Sequence, residues 1–174
     1  MIELGRSFSE HFDAFDIEYE KRSGNVNMPV YHFHDRHEIY YLMSGERNYF
    51  IDNRTYHIKK GDIVLIKSNV IHRTTAIENM GYARILFNIR KPFLDALGPN
   101  LQKANLLSCF DENATVLSLN KLQQEFVENT FYKMVEECRD KKEGYKAYVE
   151  ILMCEFLLFL KRCIDSGAPH VMDY

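Results

Sequence analysis

Short runs of β-branched and aromatic residues, separated by turn signals at regular intervals, fill the first 90 residues of this chain. Each such run can form a strand that hides one face against a core, while the intervening turns reverse the chain direction. Strands at this spacing indicate an antiparallel barrel or sandwich. The predicted strands are Phe15 to Glu20, Glu38 to Met43, Asn48 to Ile51, Thr55 to Ile58, Asp62 to Ile66, Thr74 to Ile77 and Tyr82 to Asn88.

Two positions in this region favour tight turns. Asp52 and Asn53 tolerate the left-handed backbone conformations of a hairpin, so they predict a reversal between the third and fourth strands. Gly61 can adopt a positive φ before the apolar run from Ile63 to Ile66 enters the core. Both turns support antiparallel pairing of successive strands.

After residue 90 the pattern becomes helical. Asn120 can cap a helix that runs to about Asp140, and a longer apolar helix is predicted from Tyr145 to Asp165. We therefore divide the chain into a barrel over residues 1–90 and a helical region over residues 91–168. Shorter helices are predicted over Phe93 to Leu97 and Leu101 to Phe110, and the buried positions of the capped helix are predicted to be Leu122, Phe126, Phe131, Met134 and Cys138.

The last predicted helix is apolar around most of its surface. Such a helix must be covered on several sides, and a small barrel with one partner helix offers limited cover. Packing inside the chain is the ordinary explanation, but we favour contact with a second copy, which predicts a homodimer. The predicted interface is a ridge at three- and four-residue steps that consists of Ile151, Leu152, Phe156, Phe159 and Cys163.

Three polar side chains at even offsets, His32, His34 and Glu38, can face the same side of an extended strand. We expect His72, from a later strand, to meet them in one cavity. These nitrogen and oxygen donors suit a divalent ion such as Zn, Fe, Mn or Ni, but they can equally bind a polar ligand without metal. Because most histidines are structural, the others are assigned to structural or solvent-facing positions: His11, His37, His57 and His170. His37 lies at an odd offset from His32 and His34, which turns it away from their cavity if the strand runs straight.

Composition limits the remaining classes of function. With 174 residues, 46% of them hydrophobic and 27% charged, the chain can bury one sizeable core. A net charge of −3 without a dense basic run provides no electrostatic footprint for nucleic acid. No signal peptide or membrane span is predicted, so a cytosolic protein is expected. The widely spaced cysteines predict reduced thiols that pack as small apolar residues: Cys109, Cys138, Cys154 and Cys163.

The segment from His32 to Gly45 resembles the first motif of the cupin family, His-x-His followed by Glu and, six residues later, by Gly. The second cupin motif matches at Gly61 and His72 only, because its usual Pro, Gly and Asn are replaced by Lys67, Asn69 and Ala76. The resemblance implies a mainly β chain with C-terminal helices, in which an antiparallel double-stranded β-helix barrel precedes a helical dimerisation pair.

Longer stretches resemble the N-terminal sensor domain of AraC-family transcriptional regulators: His32 to Gly45, Tyr56 to Ile66 and Ile71 to Arg73. In that family a cupin barrel binds a small effector, a helical pair dimerises, and a C-terminal pair of helix-turn-helix motifs binds DNA. The resemblance implies that DNA contacts belong to a domain absent from this chain. Residues 169–174 resemble the start of the first DNA-binding helix, although a natural stand-alone sensor is the alternative.

By analogy with the family, the effector is a sugar or sugar derivative whose binding biases the N-terminal arm, residues 1–13, or the helical pair. The main competitor is a stand-alone metal-dependent cupin enzyme, a dioxygenase or isomerase, and a third hypothesis is a dimeriser with a vestigial pocket. The degraded second motif favours a sensor that is not an enzyme. The predicted ligand contacts are His32, His34, Glu38 and His72, with Tyr40, Tyr49 and Tyr56 as stacking walls.

Overall fold

The computed structural model describes residues 4–78, 80–95 and 97–167. The strands are β1 (Ser7–His11), β2 (Phe15–Arg22), β3 (His37–Ser44), β4 (Glu46–Ile51), β5 (Arg54–Lys59), β6 (Asp62–Ile66), β7 (His72–Ala76), β8 (Tyr82–Ile89) and β9 (Ala114–Ser118). The helices are α1 (Lys91–Asp95), α2 (Pro99–Lys103), α3 (Lys121–Asp140) and α4 (Tyr145–Asp165), with a short 3₁₀ helix over Leu106–Phe110.

The strands form two antiparallel sheets, a six-stranded sheet in the order β1-β2-β8-β3-β6-β9 and a three-stranded sheet in the order β5-β4-β7. Successive side chains along β3 point to opposite faces and pack in two different hydrophobic cores. Tyr40 and Leu42 pack with the inner residues of the three-stranded sheet, whereas Ile39 and Tyr41 pack in the larger core that includes α3 and α4. The centre of β3 is therefore buried on both faces, and the predicted mainly β barrel with C-terminal helices is confirmed.

Gly45 links β3 to β4 with a backbone φ of +85°. A Cβ at this position would lie 2.4 Å from the carbonyl oxygen of Gly81, so a side chain would clash with backbone as well as strain the turn. The predicted turns at Asp52 and Gly61 are confirmed, with φ values of 56° and +89°. These turns keep the strands that carry the site in register.

Two strands, β1 and β9, were not predicted from the sequence. β1 lies in the segment expected to be an N-terminal arm and pairs with β2 through its whole length. β9 lies in the region expected to be helical and pairs with β6, so the expected change from strands to helices at residue 90 is incomplete. β9 has only five residues, and its assignment depends on a partner strand about fifty residues earlier in the sequence.

Both long helices occupy their predicted ranges. The side chain of Asn120 accepts a hydrogen bond from the backbone N–H of Gln123 at 3.0 Å, and the Gln123 side chain accepts from the backbone N–H of Asn120 at 2.8 Å. This reciprocal capping box explains why α3 begins at Lys121. The prediction that Leu122 is buried was wrong, because its side chain is 77% exposed.

The predicted dimer ridge on α4 is largely inside the chain. Leu152, Phe156 and Cys163 are 2%, 1% and 4% exposed, so the expectation that they form an open face is corrected. Phe159 stacks on Phe126 of α3, with ring centres 4.2 Å apart. Only Ile151 remains open, at 61% exposure. The sheet, α3 and the 3₁₀ helix together cover most of the apolar surface of α4.

The cysteines are all free, and three of the four are buried, in agreement with packing as small apolar residues. Burial raises the pKa of the Cys109 thiol to about 12, which keeps it protonated at neutral pH. Among the described residues, no helix combines the length and apolar character needed to cross a membrane.

Candidate functional site

A cavity of about 390 Å³ opens between the two sheets. Its size is within the range of small-molecule pockets. Of the residues expected to contact a ligand, His32, His34, Glu38, Tyr40 and Tyr49 line it. His72 is 1% exposed and lies behind the other histidines, whereas Tyr56 lines a separate outer cleft and not this cavity. The predicted stacking role of Tyr56 is therefore corrected.

The two leading histidines precede β3 and are not part of a continuous strand, as the alternation argument had assumed. His32 pairs with His72 in an isolated bridge, in which each backbone N–H donates to the other residue's carbonyl with N···O distances of 3.1 and 2.9 Å. This bridge brings their ring centres to 4.2 Å, and the His34 ring centre is 5.1 Å from that of His72. The predicted convergence of the three imidazoles is found, although a bridge and a bend produce it instead of a straight strand.

The remaining histidines that are described have other roles. His37 faces away from the cavity, stacks on Phe110 at 4.5 Å and accepts a hydrogen bond from the backbone N–H of Ser68. His57 contacts Glu46 over 2.7 Å on the three-stranded sheet. His11 contacts Asp16, and His170 lies outside the described residues.

Glu38 is the anionic centre of the cluster and is 4% exposed. The Tyr49 hydroxyl donates to its Oε1 over 2.5 Å, while its Oε2 lies 3.2 Å from His34 Nε2 and 3.5 Å from His72 Nε2. Burial opposes ionisation, but the contacts with His34, His72 and Tyr49 outweigh it and hold the pKa of the Glu38 carboxyl well below its usual range. Glu38 is therefore a buried carboxylate at neutral pH.

The imidazoles beside Glu38 have constrained protonation. Nδ1 of His34 lies 3.0 Å from the carbonyl oxygen of Arg36, and Nδ1 of His72 lies 2.8 Å from that of Val70. A carbonyl only accepts, so both Nδ1 atoms carry the proton, and each Nε2 faces the Glu38 carboxylate. The His72 Nε2 atom is buried and has no hydrogen-bond partner, and the nearest Glu38 oxygen lies 3.5 Å away. Burial opposes a second proton on His72, but Glu38 and the Val70 carbonyl outweigh it and raise the pKa of that imidazole. A metal cation would occupy the place of this proton between Nε2 and the carboxylate.

This donor set fits a divalent metal ion. One ligand atom from each of His32, His34 and His72 lies within 4.8 Å of the others. The 3.2 and 3.5 Å separations from Glu38 Oε2 to two Nε2 atoms match neighbouring ligands on a tetrahedral ion with bonds of about 2.1 Å. Burial and the neighbouring His72 lower the pKa of His32, which keeps that imidazole neutral and able to donate a lone pair.

Asp16 positions the segment that carries the histidines and was not identified from sequence. It is 1% exposed and accepts hydrogen bonds from Arg36 at 2.9 Å and from Arg90 at 2.7 Å. Burial alone would raise the pKa of Asp16, but the contacts with Arg90 and His11 have the larger effect. The pKa therefore lies below its usual value, and the carboxyl group is ionised. Because the Arg36 carbonyl accepts from His34, this ion pair also orients a site imidazole. The sequence signal that could have identified Asp16 is its position as an acidic residue between the apolar residues Phe15 and Ile17 of a predicted strand.

The opposite end of the cavity is cationic, which the sequence prediction missed. Arg47 of β4 is 1% exposed and donates to the Val26 carbonyl at 2.8 Å and to the Thr74 hydroxyl at 3.1 Å. Its guanidinium lies over the Tyr82 ring, 4.2 Å from the ring centre. Arg84 of β8 lines the same end. Alternation places Arg47 on the same strand face as Tyr49, so the pattern contained a signal for this residue.

Two antiparallel sheets that enclose a polar cavity, with helices packed outside the larger sheet, define a cupin-type ligand-binding barrel with a helical extension. The family model of the AraC-like ligand binding domain matches residues 19–128, and the chain belongs to this family. It is an effector-sensing domain of the AraC type.

Two solved structures are similar to this chain. A ToxT variant in its apo form from Vibrio cholerae superposes over 95% of this chain and 61% of its own, with 13% identity and a TM-score of 0.61. A cupin protein from Bacteroides fragilis matches 56% of this chain and 85% of its own, with 16% identity and a TM-score of 0.48. No curated protein matches this sequence significantly. At these identities the similarity concerns the fold alone.

Proposed function

We propose that this domain senses a small polar effector, a sugar or sugar derivative, in the cavity between its two sheets. The observation that carries this proposal is a cavity of about 390 Å³ with a histidine–carboxylate cluster at one end and a cationic cluster at the other. Such a cavity provides hydrogen bonds to a ligand of monosaccharide size and excludes most water. DNA binding is assigned to a separate helix-turn-helix domain by the family resemblance.

The histidine cluster would hold a divalent metal ion through His32, His34 and His72, with Glu38 as the carboxylate ligand. When bound, the ion would supply a Lewis-acidic contact for an oxygen atom of the effector. The same cluster favours a second candidate, a metal-dependent cupin enzyme of the dioxygenase or isomerase type. Turnover of a bound sugar by metal-loaded protein would support the enzyme, whereas binding without turnover supports the sensor.

A thermal-shift screen over sugars, sugar acids and small aromatic compounds tests the site directly. A ligand that binds only the folded state at 100 times its Kd raises the free energy of unfolding by about 2.7 kcal/mol. We expect a hit whose shift disappears in His34→Ala and Glu38→Ala. The matched control is His57→Ala, because His57 contacts Glu46 outside the cavity. A hit that persists in both site variants would contradict binding in this cavity.

For dimerisation we propose the open part of α4, centred on Ile151, as the contact with a second copy. Ile151 is 61% exposed and borders an apolar groove formed with α1 and α2. An exposed apolar position of this kind is typical of an interaction surface. We expect Ile151→Glu to weaken the homodimer at least tenfold and to leave the monomer folded, because no residue of the internal core is changed.

Sedimentation across a concentration series measures this effect. Leu122→Glu is the matched control, since Leu122 is 77% exposed on α3 and away from the groove. It should dimerise like the wild type. A wild-type chain that remains monomeric at high concentration would contradict dimerisation through this domain.

A further inference from the structure

A buried guanidinium without an ionic partner marks the cationic end of the cavity. Arg47 is 1% exposed, and among the described residues it forms no ion pair. Its Nε atom is buried and has no hydrogen-bond acceptor. A buried charge that is neither paired nor fully hydrogen-bonded is costly, so a protein retains it where a ligand completes the arrangement. Arg47 therefore points to an anionic ligand group.

Two further donors at this end also lack acceptors. The Nη1 atom of Arg84 and the hydroxyl of Tyr40 are buried and without hydrogen-bond partners, and both side chains line the cavity. Burial raises the pKa of the Tyr40 hydroxyl, and the positive charges of Arg84 and Arg47 oppose part of that rise. Three unsatisfied donors from β3, β4 and β8 thus lie around one end of the cavity.

The charges at this end favour a ligand with a single negative charge. The Nη2 atom of Arg84 lies 3.4 Å from Glu18 and 3.6 Å from Glu20, and Arg22 contacts Glu20 at 2.6 Å. These two cations and two carboxylates balance at this end of the cavity, where Arg47 has no ion pair among the described residues. A carboxylate neutralises one such charge, whereas a phosphate ester would add a second, unbalanced negative charge.

An unpaired hydrogen-bond acceptor in the same cavity indicates a second functional group of the ligand. The Oδ1 atom of Asn88 is buried without a partner and lines the same cavity. Asn88 lies opposite Glu38 in the pairing of β3 with β8, so it stands beside the histidine–carboxylate cluster, four residues along β8 from Arg84. An unpaired amide oxygen there is suited to accept a hydrogen bond from a hydroxyl group.

We propose that the effector is a hydroxylated carboxylic acid of monosaccharide size, a sugar acid, whose carboxylate binds Arg47 Nε, Arg84 Nη1 and the Tyr40 hydroxyl. This inference rests on the proposed function, because it names the chemical class that the same cavity takes. The carboxylate supplies the missing acceptors, and its charge balances Arg47. The hydroxyl groups extend towards Asn88 and the histidine cluster at the other end.

Matched pairs of probes test the class. Calorimetry and thermal shift would compare D-glucuronate with D-glucose, D-galacturonate with D-galactose, and D-gluconate with D-sorbitol, and would include glucose 6-phosphate. At least one acid should bind 100-fold or more tightly than its uncharged partner. Binding of the uncharged sugars alone, or tighter binding of the phosphate ester, would overturn this inference and leave the sensor function standing. If no compound in the panel binds, both the proposal of an acid and the proposal of a sugar effector would be overturned.

Conservative variants locate the carboxylate. Tyr40→Phe removes a hydroxyl that has no partner, so the folded protein should be as stable as the wild type, while affinity for the bound acid falls about tenfold. Arg84→Lys keeps a positive charge beside Glu18 and Glu20 but lacks the guanidinium fork, and it should also weaken the acid selectively. The control is Tyr56→Phe, outside the cavity. Unchanged acid affinity in both Tyr40→Phe and Arg84→Lys would overturn the assignment.

Discussion

Replacing Phe156 by alanine is expected to lower the free energy of unfolding by about 3–5 kcal/mol. Phe156 lies on α4 at 1% exposure, with its ring centre 5.0 Å from that of Phe87 on β8. Its removal leaves a cavity where the helix meets the six-stranded sheet, and both lost contacts and cavity formation contribute to the cost. For a chain of this size the loss corresponds to a decrease in Tm of roughly 10 °C. Urea unfolding monitored by circular dichroism measures it.

The matched control is Leu122→Ala on α3, where the side chain is 77% exposed. Its effect should stay within about 0.5 kcal/mol. For the same reason, Leu152→Glu should unfold the monomer and not merely separate two copies, because it places a charge at a position only 2% exposed. A small loss in Phe156→Ala would contradict the packing of α4 on the sheet.

Replacing His72 by alanine is expected to reduce the affinity for zinc by more than about 100-fold. Loss of a residue that only supports a ligand already costs about 10–100-fold, and His72 is expected to be a direct ligand. Its imidazole is held by the Val70 carbonyl, with Nε2 directed at Glu38, so the lone pair is oriented before metal arrives. Zinc titration by calorimetry measures the affinity. In the wild type, removal of zinc by a chelator should lower the Tm.

His57→Ala is the control for general effects of losing an imidazole, because His57 lies outside the cluster. Its zinc affinity should equal that of the wild type. Equal zinc affinity in the His72 variant would remove this histidine from the metal site. No detectable zinc, iron, manganese or nickel binding in the wild type would leave a site that works through hydrogen bonds alone.

The candidate site was only partly predictable from sequence. The spacing of His32, His34 and Glu38 is a local property, and the match to a known motif added His72. Tyr56 was misassigned because its burial between the sheets does not place it on the cavity wall. The cationic end was missed because Arg47 and Arg84 belong to different strands, almost forty residues apart. Strand alternation places Arg47 on the same face as Tyr49, but it does not show that two cations meet in one cavity.

By itself, the sequence determined the features that depend on neighbouring residues: the strand alternation, the turns at Asp52 and Gly61, and the capped helix that begins after Asn120. Each follows from backbone preferences and side-chain periodicity over a few positions. Only the tertiary structure decided which surfaces remain open. It placed β9 beside β6, covered most of α4, and gathered unpaired donors at one end of the cavity, because burial and charge compensation depend on residues that meet from distant parts of the chain.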